Sequence, residues 1–99
     1  YAKVDVSSAS TWTTVVAPPA AGVKVTTATL CNRTGSSLKV RLALAATTSV
    51  TDSDVIEYDT TIPANGVLER TGIVLDTSNG LQVYASSAGL TAVAYGIDG

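Results

Sequence analysis

One alternating segment, Leu38–Ala46, constrains the fold of this chain more than any other stretch. Polar or small residues separate its apolar ones, so that every second side chain falls on the same side of an extended chain. This period of two predicts a half-buried strand with one fully apolar face. The apolar face consists of Leu38, Val40, Leu42 and Leu44, and the charged side chains of the opposite face are Lys39 and Arg41.

The same two-residue period recurs along most of the chain, and no stretch keeps a helical period over ten or more residues. Turn signals separate the alternating segments at nearly regular intervals. This pattern predicts an all-β protein, a single antiparallel β-sandwich of seven to eight strands, immunoglobulin-like or jelly-roll, with residues 1–99 as one domain. The predicted strands are Ala2–Val6, Thr11–Ala17, Val23–Arg33, Leu38–Ala46, Val55–Ile62, Val67–Leu75, Leu81–Ala85 and Thr91–Ile97.

Finer features follow from the phase of the alternation. Val23–Arg33 and the next strand are expected to pair as a hairpin, because a short Thr-Gly-Ser turn separates them. Within Val23–Arg33 the apolar residues change phase, which predicts a bulge near Thr26 and Thr27. Gly72 is a second expected bulge or a point of close backbone approach. Thr91–Ile97 is apolar or small on both faces, which predicts a central, covered strand.

The chain contains no Phe and no Met, so the core is expected to consist of Val, Leu, Ile and Ala together with aromatic residues. The aromatic side chains at strand positions have two interpretations, core packing and an exposed platform for sugars. Trp12, which lies close to Pro18 and Pro19, is the best candidate for a contact with a partner. The aromatic residues concerned are Trp12, Tyr58, Tyr84 and Tyr95.

Composition excludes several kinds of chemistry. The chain has no histidine and one cysteine, so Ser-His-Asp and Cys-His catalysis, an internal disulfide and a four-cysteine zinc site are all excluded. Charged residues make up 14% of the chain with a net charge of −2, which gives no basic stripe for nucleic acid. No apolar segment is long enough for a membrane-spanning helix. We therefore expect no catalytic residues, cofactor, metal, nucleic acid or membrane contact.

Two weaker signals have both a structural and a functional interpretation. Glu57, Asp59 and Glu69 could meet across the Asn65-Gly66 turn as catalytic carboxylates, or remain solvated and pair with Arg41 or Arg70. The segment 52–54, with Asp59, could begin a calcium loop, although the glycine turn and closing carboxylate of such a loop are missing.

Two further residues are expected to be structural. Asn32 begins a glycosylation sequon with Arg33 and Thr34, but we expect its amide to bind backbone at the end of its strand. Cys31 is expected to be a small buried hydrophobe rather than a reactive thiol.

Five segments of the chain form a recognisable pattern, which reads CNR, VR-A, IEYD, P-NG-LER and YGI. The segments are Leu30–Arg33, Leu38–Leu44, Val55–Asp59, Ile62–Ile73 and Val93–Ile97. Together they resemble a group of small virion proteins of tailed bacteriophages, and the resemblance covers roughly Val23–Gly99.

The resemblance implies a non-enzymatic structural protein of the virion, a β-sandwich module that assembles as a homo-oligomer with other virion proteins. A capsid decoration (cement) protein that bridges capsid subunits is the first expectation, and a tail, neck or fibre component is the alternative. The low surface charge agrees with a subunit of an assembly. A carbohydrate-binding β-sandwich that uses Trp12 and exposed tyrosines is the alternative from another class.

Overall fold

The computed structural model describes residues 2–98, which form two four-stranded antiparallel sheets packed face to face as a β-sandwich. A short 3-10 helix, Asp52–Asp54, precedes the fifth strand. All eight predicted strands are present, with ends within two residues of the predicted ones. The strands are β1 (Ala2–Val6), β2 (Trp12–Val16), β3 (Lys24–Asn32), β4 (Leu38–Ala45), β5 (Val55–Ile62), β6 (Val67–Leu75), β7 (Gly80–Ala85) and β8 (Leu90–Asp98).

The strand order identifies the sandwich as a jelly roll. Sheet A has the order β1-β8-β3-β6 and sheet B has the order β2-β7-β4-β5. Strand pairs are therefore nested, with β4 against β5, β3 against β6, β2 against β7 and β1 against β8. An immunoglobulin sandwich would instead place the first, second, fifth and fourth strands together. Of the two topologies that the alternation left open, the jelly roll is the one observed.

The core lies between the two sheets and is built from aliphatic side chains. Every strand of both sheets contributes to the core or to its margin, and the alternation of β4 places Leu38, Val40 and Leu42 inside at 2% exposure or less. Among the described residues the core cluster contains no aromatic side chain. The expectation that aromatic residues help to fill the core is therefore wrong, and the core cluster consists of Val, Leu, Ile and Ala.

The predicted hairpin between β3 and β4 is wrong. β3 belongs to sheet A, where β6 and β8 flank it, and β4 belongs to sheet B, where β5 and β7 flank it. The two strands therefore face each other across the core. An alternating pattern tells which side of a strand is buried, but two strands with apolar faces satisfy it equally well as neighbours or as opposite layers.

The predicted bulge exists, but it lies in β6 rather than in β3. β3 pairs with β8 without any register shift, whereas its pairing with β6 shifts between Thr26 and Ala28. The extra residue is in β6, next to Gly72, which has a φ of 72°. The apparent phase change in β3 arises because Val23 and Val25 are exposed on the outer face, while Thr26 takes the inner position.

The prediction for the last strand is half correct. β8 is central in sheet A, between β1 and β3. Its outer face is not covered, since Tyr95 is 48% and Ile97 is 71% exposed. Small residues on the inner face (Ala92 and Ala94) produced the two-sided apolar pattern without requiring a second covering layer.

Candidate functional site

Three aromatic residues outside the core form a row with Arg41 across the outer face of sheet B. Trp12 on β2 is in register with Tyr84 on β7, and Tyr84 is in register with Arg41 on β4. The ring centroids of Trp12 and Tyr84 are 5.4 Å apart with an interplanar angle of 52°. The Arg41 guanidinium lies 4.7 Å from the ring centroid of Tyr84 and 4.2 Å from that of Tyr58 on β5. We call these four residues, with Asp59, the aromatic row.

A bulge in β5 builds the outer end of the row. Pairing between β4 and β5 shifts after Val40, so that Tyr58 and Asp59 together stand opposite Arg41. Side chains normally alternate between faces, and the extra residue of a bulge changes that direction locally. Asp59 adopts a φ of 53°, a left-handed conformation that is uncommon for a residue with a Cβ. Two consecutive side chains can therefore reach the same guanidinium.

Asp59 and Arg41 form a two-pronged ion pair. The Nε and Nη2 atoms of Arg41 donate to the two carboxylate oxygens of Asp59 at 2.7 and 3.2 Å. These hydrogen bonds lower the pKa of Asp59 below its ordinary value, and Lys39 lowers it further through its charge. The same pairing raises the pKa of Arg41. Stacking between rings and a fork-shaped ion pair together fix the orientation of the guanidinium.

The residues predicted to touch a partner are close to this row in different degrees. Trp12 belongs to it and is half-buried. Pro18 is half-buried and packs on Gly80, where an added Cβ would come within 2.9 Å of the proline Cδ. Pro19 is buried. Among these three residues, Trp12 has the side chain that the row presents to solvent.

The outer face of sheet A is a second distinctive surface. Val25 on β3 is in register with Val74 on β6 and with Ile97 on β8. All three side chains are exposed, and Tyr95 lies two residues from Ile97 on the same face. We call these four residues the apolar patch. Glu69, an exposed acidic side chain on β6, accepts hydrogen bonds from the Tyr95 hydroxyl at 3.4 Å and from Thr29 at 3.5 Å.

The structure does not assemble the carboxylates into a catalytic pair. Glu57 is 3.0 Å from the Nη1 of Arg70, and Asp59 is paired with Arg41. Glu69 lies on the outer face of sheet A, on the opposite side of the sandwich from Asp59. The expected pairing with arginine is confirmed for Asp59 (with Arg41) and Glu57 (with Arg70), whereas Glu69 contacts Thr29 and Tyr95 instead. The Pro63–Gly66 turn connects two different sheets rather than the strands of a hairpin.

The segment considered for calcium is a capped turn. Asp54 accepts hydrogen bonds from the backbone N–H and the hydroxyl of Thr51, both at 3.1 Å. Within residues 2–98 no group of three or more His, Cys, Asp or Glu side chains is placed to hold a metal ion.

Asn32 is a buried clamp, as expected. Its Nδ2 donates to the carbonyl oxygens of Ser36, Ile62 and Pro63 at 2.8 to 3.1 Å, and its Oδ1 accepts from the N–H and hydroxyl of Thr34. These bonds leave the amide fully enclosed at 0% exposure. Cys31 is half-buried on the outer face rather than buried, so that expectation is wrong.

The sequence predicts Trp12, Tyr58 and Tyr84 as either core residues or an exposed platform, and it offers Arg41 as a partner for the carboxylates that include Asp59. It does not bring these residues together in one site. The signal that could have found the site is the alternation itself, because Arg41 and Tyr84 both fall on the faces opposite to apolar residues. The bulge that adds Asp59 has no such signal in the sequence.

Comparison with known proteins finds no matching family model, no similar curated protein and no similar solved structure. In the described part of the chain no helix is long and apolar enough to cross a membrane.

Proposed function

We propose that this chain is a non-enzymatic structural protein of a bacteriophage virion, and that it acts as a capsid decoration protein that bridges neighbouring capsid subunits. The resemblance of Val23–Gly99 to such proteins is one support. The observation that carries the proposal is the apolar patch on sheet A, because isolated small proteins rarely expose several branched side chains in register on one flat face.

The patch has the character of a surface that binds protein. Val25, Val74 and Ile97 form one row across three strands, and Tyr95 adds an aromatic ring with a polar tip. Such surfaces bury branched and aromatic side chains at their centre and leave charges at the rim. Here Lys3 on β1 and Glu69 on β6 are exposed charges beside the patch, and Glu69 contacts its Tyr95.

A tail, neck or fibre component would use the same surface in fewer copies. The copy number per particle distinguishes a position on the capsid from one on the tail, neck or fibre, because decoration proteins are present in proportion to the number of capsid subunits. Localisation on the virion surface and assembly as a homo-oligomer belong to both versions of the proposal.

Quantitative mass spectrometry of purified virions tests the proposal. A ratio to the major capsid protein near one, or a fixed simple fraction of it, is the expected result. A ratio of a few per cent would move the protein to the tail or neck. Absence from particles that were produced in the presence of the protein would overturn the virion function and favour the carbohydrate-binding alternative, which rests on the aromatic row.

A further inference from the structure

We infer that the aromatic row of sheet B is a binding site for a neutral glycan. The inference does not depend on where the protein resides in a virion, since the row and the apolar patch lie on opposite outer faces of the sandwich. It assigns a ligand class to the five residues of the row, Trp12, Tyr84, Arg41, Tyr58 and Asp59. It also gives sheet B a binding function different from the one proposed for sheet A.

The aromatic rings supply the first requirement of a sugar site. A pyranose ring presents an apolar C–H face, and an exposed aromatic ring matches it in shape and polarity. Tyr58 is 54% exposed although its ring already contacts Arg41. Trp12, at the other end, is half-buried and packs against Tyr84 with its ring tilted by 52°. Four neighbouring strands carry the row, so it is long enough for an oligosaccharide rather than for one sugar ring.

The ion pair at the centre supplies the second requirement. Sugar hydroxyls need donors and acceptors held at fixed positions between the stacking rings, and small-molecule sites commonly place a few such groups among aromatic side chains. Arg41 uses Nε and Nη2 toward Asp59, and within residues 2–98 its Nη1 donates to no protein acceptor. The Asp59 side chain is 40% exposed, so its oxygens can accept from a ligand as well.

Charge selects a neutral ligand over an anionic one. Arg41 and Asp59 cancel each other's charge within the row. Lys39 is the neighbouring cation, and it lies close enough to lower the pKa of Asp59. With Asp59 already neutralised by Arg41, Lys39 is one uncompensated cation beside the row, and one lysine falls short of the clusters of basic side chains that bind phosphate, sulfate or uronate groups.

The polar groups of the site are positioned by contacts within the protein. The Arg41 guanidinium contacts the rings of Tyr58 and Tyr84 and the carboxylate of Asp59. Groups that are already in place lose little entropy when a ligand binds.

Intrinsic fluorescence of the single tryptophan tests the inference, because Trp12 is part of the site. Wild-type protein is screened on a glycan array and then titrated with maltohexaose, cellohexaose and mannohexaose, with glucose as the single-ring comparison and polygalacturonate as the anionic one. We expect a saturable change with at least one neutral oligosaccharide at a dissociation constant of about 0.1–1 mM, and weaker binding of the free sugar.

Two matched variants assign the binding to the row. Tyr58→Ala is expected to weaken binding roughly tenfold or more, as loss of one stacking ring does. Tyr95→Ala removes an equally exposed tyrosine from sheet A and is expected to leave binding unchanged. Thermal unfolding of both variants checks that the fold is intact, and backbone amide chemical shifts in the presence of the glycan are expected to move on β2, β7, β4 and β5.

Several outcomes would overturn the inference. The first is that the wild type binds nothing on the array and shows no saturable fluorescence change with the neutral oligosaccharides up to about 10 mM. The second is that polygalacturonate binds more tightly than the neutral glycans. The third is that Tyr58→Ala and Tyr95→Ala lose the same amount of glycan affinity. If Tyr58→Ala instead lowers the occupancy of the protein on virions while the wild type binds no glycan, the row is a protein contact. Failure of the glycan site in any of these ways leaves the copy-number test of the virion function unaffected.

Discussion

Two polar side chains on the inner face of β3 differ in whether their hydrogen-bonding atoms have partners. Asn32 is fully enclosed, and all its hydrogen-bonding atoms have partners in the loop after β3 and the turn after β5. Thr26 is 1% exposed, and its hydroxyl is the buried side-chain oxygen within residues 2–98 that has no hydrogen-bond partner. A satisfied buried amide specifies a structure, whereas an unsatisfied hydroxyl costs stability.

Replacing Asn32 by Asp is expected to lower the free energy of unfolding by about 2–4 kcal/mol. The change keeps the size and one acceptor but removes the Nδ2 donor from three carbonyl oxygens and leaves an enclosed charge facing them. Urea denaturation at pH 7 measures the effect. Asn65→Asp, at an exposed position of the turn after β5, is the control and is expected to change stability little. Equal losses in both variants would show that the clamp is not the cause.

Replacing Thr26 by Val is expected to stabilise the fold by about 1 kcal/mol, because valine has the same shape without the unpaired hydroxyl. Thr27→Val, whose side chain points to the outer face, is the matched control and should have a smaller effect. Chemical denaturation of the three proteins decides. A destabilised Thr26→Val would mean that the hydroxyl has a partner such as an ordered water.

The Asp59–Arg41 pair predicts a loss of stability in acid. Because the folded-state pKa of Asp59 is lowered, its pairing stabilises the fold above the unfolded pKa of about 4. That contribution is lost as the pH falls through the folded pKa. Denaturation curves at pH 7, 4 and 3 should show a shallower decline for Asp59→Asn than for the wild type. Parallel declines would assign acid sensitivity to other carboxylates.

At the scale of strands, the existence and inner face of each element follow from the alternation, but their neighbours do not. β4 is recognised from Leu38, Val40 and Leu42 alone, and its pairing with β5 and β7 depends on contacts that no local pattern encodes. The candidate site has the same limit. The alternation predicts that Tyr84 and Arg41 point to the outer face of their strands. Only the register of β4 with β7 and β5, together with the bulge in β5, brings them next to Tyr58 and Asp59.

Gly96 in β8 lies where the backbones of β8 and β3 leave no room for a Cβ atom. A Cβ at Gly96 would lie 1.9 Å from the Val25 carbonyl oxygen, whereas one at Gly35, in the loop before β4, would meet nothing within 4 Å. We expect Gly96→Ala to lower the free energy of unfolding by roughly 2–4 kcal/mol, as overpacking of backbone does. Gly35→Ala should be nearly neutral, and thermal melts of the two variants give the comparison. Similar melting temperatures would show that β8 can move away from β3.

At the scale of the whole molecule, each outer face of the sandwich is a separate candidate binding surface. A face of four strands about 4.8 Å apart and nine residues long covers about 600 Å², which is somewhat less than the roughly 800 Å² that one partner buries in a standard interface. Contact through sheet A alone is therefore modest for a single copy. Many copies on a symmetric particle would make such a contact effective.

Placing three lysines on the apolar patch is expected to remove the protein from virions. Val25, Val74 and Ile97 are all exposed, so their replacement by Lys should leave the melting temperature nearly unchanged while occupancy falls roughly tenfold or more. Lysines at Thr47, Ser49 and Thr61 add the same charge to exposed positions outside sheet A and serve as the control. Mass spectrometry of particles assembled with each variant measures occupancy, and equal losses would point to charge rather than to the patch.

The nested pairing of the jelly roll has a kinetic consequence. Only β4 and β5 pair as sequence neighbours, and every other pair must wait for the chain between its members to come together. Folding is therefore expected to begin at β4–β5 and to proceed outward, because each pair that forms shortens the loop that the next must close. β1 finds its partner last. A nascent chain can thus complete sheet A only after β8 has left the ribosome. Until then, the inner faces of the earlier strands of sheet A need protection from aggregation.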